Sequence, residues 1–268
     1  MKLKSTAAKK KKNTSFRNNL VNKDRLTPYL EKAIAEGEFH WEYAFNGKES
    51  DDAWHPSGHC TPSISDLYHY ATEGHKEERK FTSGLLKTFQ VGHFWHQYLQ
   101  WIVLHKLEFA TAGAIEREGG LIWHENGSTS YYRNGGPPPV TPRPYHWARG
   151  SADIAPLVLP DWQGVVDYKT MGNHDYRLPG LPGWCSFKYE AQINIYMDFF
   201  EEERGLIVAI QKDSPHDMRE FEFERNQPLI DAIHDKWHIV SEYLDEGEAP
   251  DPEHDIELHD LYTGPVER

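Results

Sequence analysis

Cysteine is scarce in this chain: its 268 residues include only Cys60 and Cys185. Two cysteines are too few for a disulfide framework and indicate a reducing compartment, so we expect a cytoplasmic protein. No C-x-x-C pair occurs, so the usual spacings of structural zinc and iron–sulfur sites are missing.

Long apolar runs are also absent. No segment approaches the roughly eighteen apolar residues of a membrane span, and the basic N-terminus lacks the apolar stretch of a secretory signal. The sequence contains no Walker-type G-x-x-x-x-G-K-[ST] motif, so any nucleotide-driven activity would belong to a separate chain.

Basic residues are outnumbered by acidic ones, 29 to 42, which gives a formal net charge of −13. This balance concerns solubility and does not exclude a locally basic groove. Residues 1–24 are rich in Lys and Asn, which predicts a disordered basic tail, with a weak phosphate anchor as the alternative. We expect residues 25–268 to form one domain with its core at about residues 81–245.

The segment Arg149–Thr170 has the pattern of two β-strands around a turn at Pro160–Gly164. Side chains alternate along a strand, so Asp167 and Lys169 share one face of the second strand. A hairpin would bring Asp153 alongside Asp167. Charges solvated at a strand edge are the alternative interpretation. Two buried carboxylates would need a counter-ion, and a divalent metal beside the Lys169 ammonium would supply it.

Two predicted helices carry further polar residues. A long helix over about Phe81–Phe109 includes Gly92, which permits close packing, and His96 one turn later. A helical His is more often packed or exposed than a ligand. The second helix, from Ser186 to about Glu203, places Gln192 and Tyr196 one turn apart on one face.

These motifs, in this order, resemble the RecB-like branch of the PD-(D/E)XK nucleases, and in particular the stand-alone exonucleases of phage type. The resemblance covers about residues 81–211. It rests on Gly92-x-x-x-His96, Asp153, Asp167-x-Lys169 and Gln192-x-x-x-Tyr196. It implies an α/β fold: a restriction-endonuclease-like core, with a central mixed sheet flanked by helices and an N-terminal helical elaboration. Some relatives hold an iron–sulfur cluster through four cysteines. Here no cysteine follows Tyr196, so we expect no cluster.

The resemblance implies a metal-dependent DNA nuclease, with exonuclease action in phage-type recombination or repair as the leading interpretation. A structure-specific or single-strand endonuclease is the alternative, and a DNA-binding module without catalysis is a third. The expected partner is DNA, with a single-strand annealing or recombination protein or a helicase on a separate chain. A phage-encoded chain would act in the cytoplasm of the bacterial host. Oligomeric state, polarity and strand preference stay open.

The resemblance also assigns roles to residues. Asp153 and Asp167 would bind one or two Mg²⁺ or Mn²⁺ ions, with His96 and the backbone carbonyl of Tyr168 as further ligands. Lys169 would orient the attacking water or stabilise the transition state. Two residues would support Lys169, the water or a phosphate: Gln192 and Tyr196.

Substrate contacts are predicted around this group of residues. A Gly/Pro-rich segment at about Met171–Cys185 is aromatic and basic, which suits contact with a DNA strand. The candidate substrate-binding residues are Arg149, Arg177, Trp184 and Lys188.

Overall fold

The computed structural model describes residues 25–30, 52–73, 83–133, 138–171, 187–211, 218–251 and 253–266. Within these residues the chain forms a seven-stranded mixed β-sheet with helices on both faces. The sequence-based prediction of an α/β fold with a central mixed sheet, consistent with a restriction-endonuclease-like core, is confirmed. The predicted basic tail and the predicted substrate-contact segment lie outside the described residues.

Five α-helices are described, and the long helix in the middle of the chain is shorter than predicted. Short N-terminal helices precede it, as expected for a helical elaboration, and a helical turn at residues 27–30 comes before them. The helices are α1 (Pro56–His59), α2 (Ile64–Glu73), α3 (Ser83–Lys106), α4 (Phe187–Phe200) and α5 (Gln227–Glu246). A 3₁₀ turn, His259–Leu261, follows α5. None of the described helices is long and apolar enough to cross a lipid bilayer.

The sheet has the strand order β3-β2-β4-β5-β6-β7. The short strand β1 also pairs with β4, next to the part of β4 that pairs with β2. Only β5 and β6 run parallel; the other described pairs are antiparallel. The strands are β1 (Thr111–Ala112), β2 (Ile115–Trp123), β3 (Thr129–Tyr132), β4 (Trp147–Leu159), β5 (Trp162–Met171), β6 (Arg204–Gln211) and β7 (Met218–Glu224).

The β4–β5 hairpin is tighter than the sequence predicted. Leu159 pairs with Trp162, so the turn consists of Pro160 and Asp161 alone, and the expected turn at residues 160–164 is wrong. Trp162 is the first residue of β5, and its buried indole N–H donates to a carboxylate oxygen of Glu222, 2.6 Å away. The hairpin itself, which carries the predicted site residues, is confirmed.

Two apolar cores cover the two faces of the sheet, and alternate residues of β5 belong to different cores. Val166 and Tyr168 pack beneath α3, whereas Val165 packs beneath α4. The core under α3 includes Leu26, Leu99, Ile102, Leu206 and Val208. The core under α4 and α5 includes Ala191, Ile195, Phe199, Ile207 and Trp237. Both faces of β5 are therefore buried, as expected for a central strand.

Gly164 is required by the close approach of β6. A Cβ atom at this position would lie 2.2 Å from the carbonyl oxygen of Arg204, and the adjoining Val165–Gly205 pair holds the two strands together. We expect Gly164→Ala to lower the free energy of unfolding by about 3 kcal/mol or more, measured by urea denaturation. Gly58→Ala is the control, because no atom lies within 4 Å of the added methyl group. Equal stability of the two variants would contradict the prediction.

Candidate active site

The candidate site lies where strands β4 and β5 separate. Their ladder ends at the Ile154–Val166 pair, so Asp153 and Tyr168 lie beyond the last pairing. The backbone N–H of Tyr168 donates instead to Oδ2 of Asp153, at 2.6 Å. A side-chain carboxylate thus accepts the hydrogen bond that the strand N–H group would otherwise donate to a backbone carbonyl.

The second oxygen of Asp153 faces helix α3. Oδ1 lies 3.0 Å from Nδ1 of His96 and 3.1 Å from Nε2 of Gln100, one turn further along the helix. The helix lies close to β5 at Gly92, where a Cβ atom would be 3.1 Å from the hydroxyl oxygen of Thr170. The expected close approach at Gly92 is therefore present, and the neighbouring atom belongs to a side chain.

Asp167 and Lys169 share one face of β5, as the alternation of strand side chains predicted. The Lys169 ammonium lies 2.6 Å from Oδ2 of Asp167 and forms an ion pair with it. The same ammonium lies over the ring of Tyr189, 5.4 Å from its centroid. Strand β5 and helix α4 therefore hold Lys169 between a carboxylate and an aromatic face.

The two buried carboxyl groups have opposite pKa shifts. Burial opposes ionisation of Asp153, but the charge and hydrogen bond of His96 and the Tyr168 N–H outweigh it, and the pKa of Asp153 is lowered. Burial raises the pKa of Asp167 to about 6, against the opposing charge of Lys169. Carboxyl groups whose pKa values are driven apart are common at catalytic sites.

The two basic groups favour their charged forms. Burial acts to lower the pKa of Lys169, but the charge of Asp167 outweighs it and the pKa is raised. Burial likewise acts to lower the pKa of His96, and the charge and hydrogen bond of Asp153 raise it. The site thus contains two buried carboxyl groups and two basic groups whose charged forms are favoured, each in contact with one of the carboxyl groups.

Gln192 and Tyr196 lie on one face of α4, as predicted, and bond to each other. Nε2 of Gln192 donates to the Tyr196 hydroxyl oxygen at 2.9 Å, and both side chains are buried. Burial, followed by the charge of Asp167, raises the pKa of Tyr196, so its hydroxyl stays protonated. The ring packs against Gly150, where a Cβ atom would lie 2.7 Å from Cε1. The role of this pair toward water or phosphate stays a prediction.

The donor set suits a hard divalent cation, although it is not assembled around one point. Among the described residues, no three His, Cys, Asp or Glu side chains are spaced as a ready ligand set. Ion pairs with His96 and Lys169 occupy the carboxylate oxygens instead. Both carboxyl groups are buried and supply carboxylate oxygen atoms at neighbouring positions. Mg²⁺ and Mn²⁺ prefer such oxygen donors, so the residues fit the ion chemically.

The predicted substrate-binding residues are only partly described. Arg149 lies on the same face of β4 as Asp153, pairs with Glu118 at 3.2 Å and lies 5.8 Å from the Trp147 ring centroid. Lys188 is exposed at the start of α4. Two candidates lie outside the described residues: Arg177 and Trp184.

Three residues near the site were not found from the sequence: Gln100, Glu116 and Tyr189. The spacing of Gln100 one turn after His96 was visible, but a Gln at that spacing is common on any helix. Glu116 lies next to the site only through the register between β2 and β4, which sequence patterns do not show. The ring of Tyr189 reaches Lys169 only through the packing of α4 on β5.

Comparison with known proteins gives structural likenesses alone. No family model matches the sequence, and no curated protein matches it. One similar structure is titled the crystal structure of SSO0001 (TM-score 0.46, 16% identity, covering 80% of this chain and 83% of that chain). Another is an alkaline exonuclease, LHK-Exo, from Laribacter hongkongensis (TM-score 0.44, 14% identity, covering 73% of this chain and 89% of that chain). A complex of LHK-Exo with dAMP gives a TM-score of 0.44 at 15% identity, covering 73% of this chain and 89% of that chain. These values are too low to transfer an activity.

Proposed function

We propose that this chain is a metal-dependent deoxyribonuclease of the RecB-like PD-(D/E)XK type that hydrolyses phosphodiester bonds from DNA ends. The observation that carries the proposal is the grouping of Asp153, Asp167 and Lys169 at the divergence of β4 and β5. Of this group, Asp153 accepts a hydrogen bond from a strand N–H group, and the buried Asp167 pairs with the Lys169 ammonium at 2.6 Å. Buried charge at this density is costly unless it serves a ligand or a reaction.

The cation site would use oxygen atoms from Asp153, Asp167 and the backbone carbonyl of Tyr168. His96 would contribute Nε2 as a neutral imidazole, with the cation in place of the Nε2 proton, because its Nδ1 is engaged with Asp153. A bound divalent cation would supply Lewis-acid activation of water and neutralise charge on the scissile phosphate. The two carboxylates would hold the cation, and the His96–Asp153 hydrogen bond fixes the orientation of the imidazole ring.

Lys169 is the group that would act on the substrate. Its raised pKa keeps the ammonium charged at neutral pH, and with its contact to Asp167 it would lie beside the proposed cation. A fixed positive charge there can orient water or stabilise the additional negative charge of the transition state. The Tyr189 ring limits the positions that the ammonium can adopt. Gln192 and Tyr196 would add neutral donors from α4.

Arg149 would contact DNA away from the cleavage point. It precedes Asp153 by four residues on the same face of an extended strand, a distance of about 13 Å at about 3.3 Å per residue. DNA is the proposed partner, and a single-strand annealing or recombination protein, or a helicase, on another chain would act with it.

Digestion of DNA with and without ends tests the proposal. Linear and covalently closed circular DNA are incubated with the wild-type chain in Mg²⁺, in Mn²⁺ and in EDTA. We expect loss of linear DNA only, in either metal, and no loss in EDTA. Lys169→Ala is the inactive variant. Lys106→Ala is the matched control, because Lys106 lies over the Trp101 ring at the end of α3.

Each outcome decides between the possible functions. Cutting of the circle would favour the endonuclease alternative. Absence of cleavage with DNA binding retained would overturn the catalytic proposal and favour a binding module. Equal cleavage by wild type and Lys169→Ala would show that the activity does not come from this site.

A further inference from the structure

The side-chain amide of Gln100 lies between two carboxylates. Its Nε2 atom donates to Oε1 of Glu116 at 2.7 Å and to Oδ1 of Asp153 at 3.1 Å. The Gln100 side chain is buried, whereas Glu116 is exposed to solvent. An amide nitrogen carries two hydrogen atoms, so both are used. We call this arrangement of Glu116, Gln100 and Asp153 the Gln100 bridge.

Three elements of the fold build the Gln100 bridge. Helix α3 presents His96 and Gln100, one turn apart, to the same Asp153 oxygen. Strand β2 places Glu116 opposite Asp153, between paired residues on either side. The second oxygen of Glu116 accepts a hydrogen bond from the Ser151 hydroxyl at 3.2 Å, which limits rotation of the carboxylate. The NH₂ group of the amide is thus held by a carboxylate on each side.

Glu116 acts together with Asp153 in fixing which end of the Gln100 amide faces the site. An ionised carboxylate only accepts hydrogen bonds, so its partner must be the NH₂ group of the amide. That NH₂ group then also faces Asp153. The reverse orientation would direct the amide carbonyl oxygen at the Asp153 carboxylate, which is unfavourable. Without Glu116, the Asp153 carboxylate alone would favour the NH₂ orientation, and one hydrogen bond instead of two would restrain the amide.

We propose that Gln100, held by Glu116, is a positioning residue that orients the Asp153 carboxylate for cation binding. This inference rests on the proposed function, because it requires a cation at Asp153. Oδ2 of Asp153 is held by the Tyr168 N–H group, and Oδ1 is held by His96 and Gln100. Removing the Gln100 donor leaves His96 as the described side chain that restrains Oδ1.

The expected effect is on cation affinity. A hydrogen bond to a charged group contributes an amount that corresponds to about a tenfold change in an equilibrium constant or more. Gln100→Leu should therefore weaken Mn²⁺ binding about tenfold. Glu116→Ala should weaken it about threefold, since Gln100 can still donate to Asp153 but loses one of its two restraining hydrogen bonds. The double variant should bind Mn²⁺ as Gln100→Leu does, because Glu116 acts through Gln100.

The test is a double-mutant cycle on the full chain. Free Mn²⁺ is measured by electron paramagnetic resonance to obtain the dissociation constant of each variant. Cleavage at saturating Mn²⁺ should be nearly unchanged, whereas the Mn²⁺ concentration for half-maximal cleavage should rise. Thermal denaturation in EDTA checks that each variant is folded. Gln163→Leu is the matched control, because Gln163 also donates to a carboxylate, that of Glu202, away from Asp153.

The outcomes separate this inference from the proposed function. If the wild-type chain binds no Mn²⁺, the proposed function fails. If the wild type binds Mn²⁺ and Asp153→Asn does not, but Gln100→Leu and Glu116→Ala bind normally, only the inference is overturned. If the effects of Gln100→Leu and Glu116→Ala multiply in the double variant, Glu116 acts through its charge alone and the positioning role is overturned. Glu116 is exposed, so its variant is informative even if Gln100→Leu does not fold.

Discussion

Asp167→Asn should reduce the rate of DNA cleavage by about 10³-fold or more at saturating Mg²⁺. The substitution keeps the size of the side chain but removes one of the two carboxylates proposed to hold the cation, and the negative charge that positions the Lys169 ammonium 2.6 Å away. Removal of a single preorganised electrostatic group from an active site commonly costs about 10²–10³-fold, and loss of a metal ligand adds to this. Single-turnover digestion of end-labelled linear DNA measures the effect.

Asp198→Asn is the matched control for this prediction. Asp198 is also a buried aspartate, but it pairs with Arg225 at the far end of α4. Its substitution should lower stability and leave the cleavage rate of the folded protein within about threefold of wild type. Wild-type cleavage by Asp167→Asn would show that the assignment of the site is wrong.

The second large effect is on stability. The pKa of Asp167 is raised from 3.8 to about 6 in the folded chain, chiefly by burial. A shift of about two units corresponds to roughly 3 kcal/mol, and the group is buried well enough that solvent does not screen it. In the metal-free protein, the ionised Asp167 should therefore lower the free energy of unfolding by about 3 kcal/mol at neutral pH.

The sign follows from proton binding. Between about pH 4 and pH 6 the folded state holds the Asp167 proton and the unfolded state has released it. The free energy of unfolding therefore decreases as pH rises through this window, and the loss is complete above the folded pKa. The raised pKa of Lys169 lies far above this range, so the lysine remains charged and its contribution is constant.

The double variant Asp167→Asn/Lys169→Met tests this effect. It removes both charges, since removing one alone would leave a buried unpaired charge. Its stability relative to wild type should increase by about 3 kcal/mol between pH 4 and pH 7 in EDTA, measured by urea denaturation. Mg²⁺ should stabilise the wild type and leave the variant unchanged. A stability difference that does not vary with pH would contradict the prediction.

The sequence predicted the parts of the site that follow from local periodicity. The period-two alternation of β5 placed Asp167 beside Lys169, and the helical spacing placed Gln192 beside Tyr196. The length of the hairpin turn could not be predicted in the same way. Trp162 and Gly164 lie in the strand, where they contact Glu222 and Arg204, and both of these residues lie far away in the chain.

The contacts of Asp153 with Gln100 and Glu116 also depend on long-range register. Nothing local distinguishes Gln100 from other polar residues of a long helix, and the position of Glu116 depends on how β2 pairs with β4. Glu116 also has a positive φ of 48°, an irregularity that strand propensity does not predict. Sequence patterns thus located the charged centre of the candidate site, and tertiary pairing determined its supporting residues.

Helix α4 is buried on all sides from Glu190 to Phe200, and this affects how the protein opens locally. A helix without a solvent-facing side cannot fray outward unless the sheet or α5 separates from it. We therefore expect its amide protons, and those of β5 beneath it, to be among the slowest in the chain to exchange with solvent. The edge strands β3 and β7 would exchange sooner and be cleaved first by proteases. Partial opening at the edges would then leave the pairing of Asp167 with Lys169 intact.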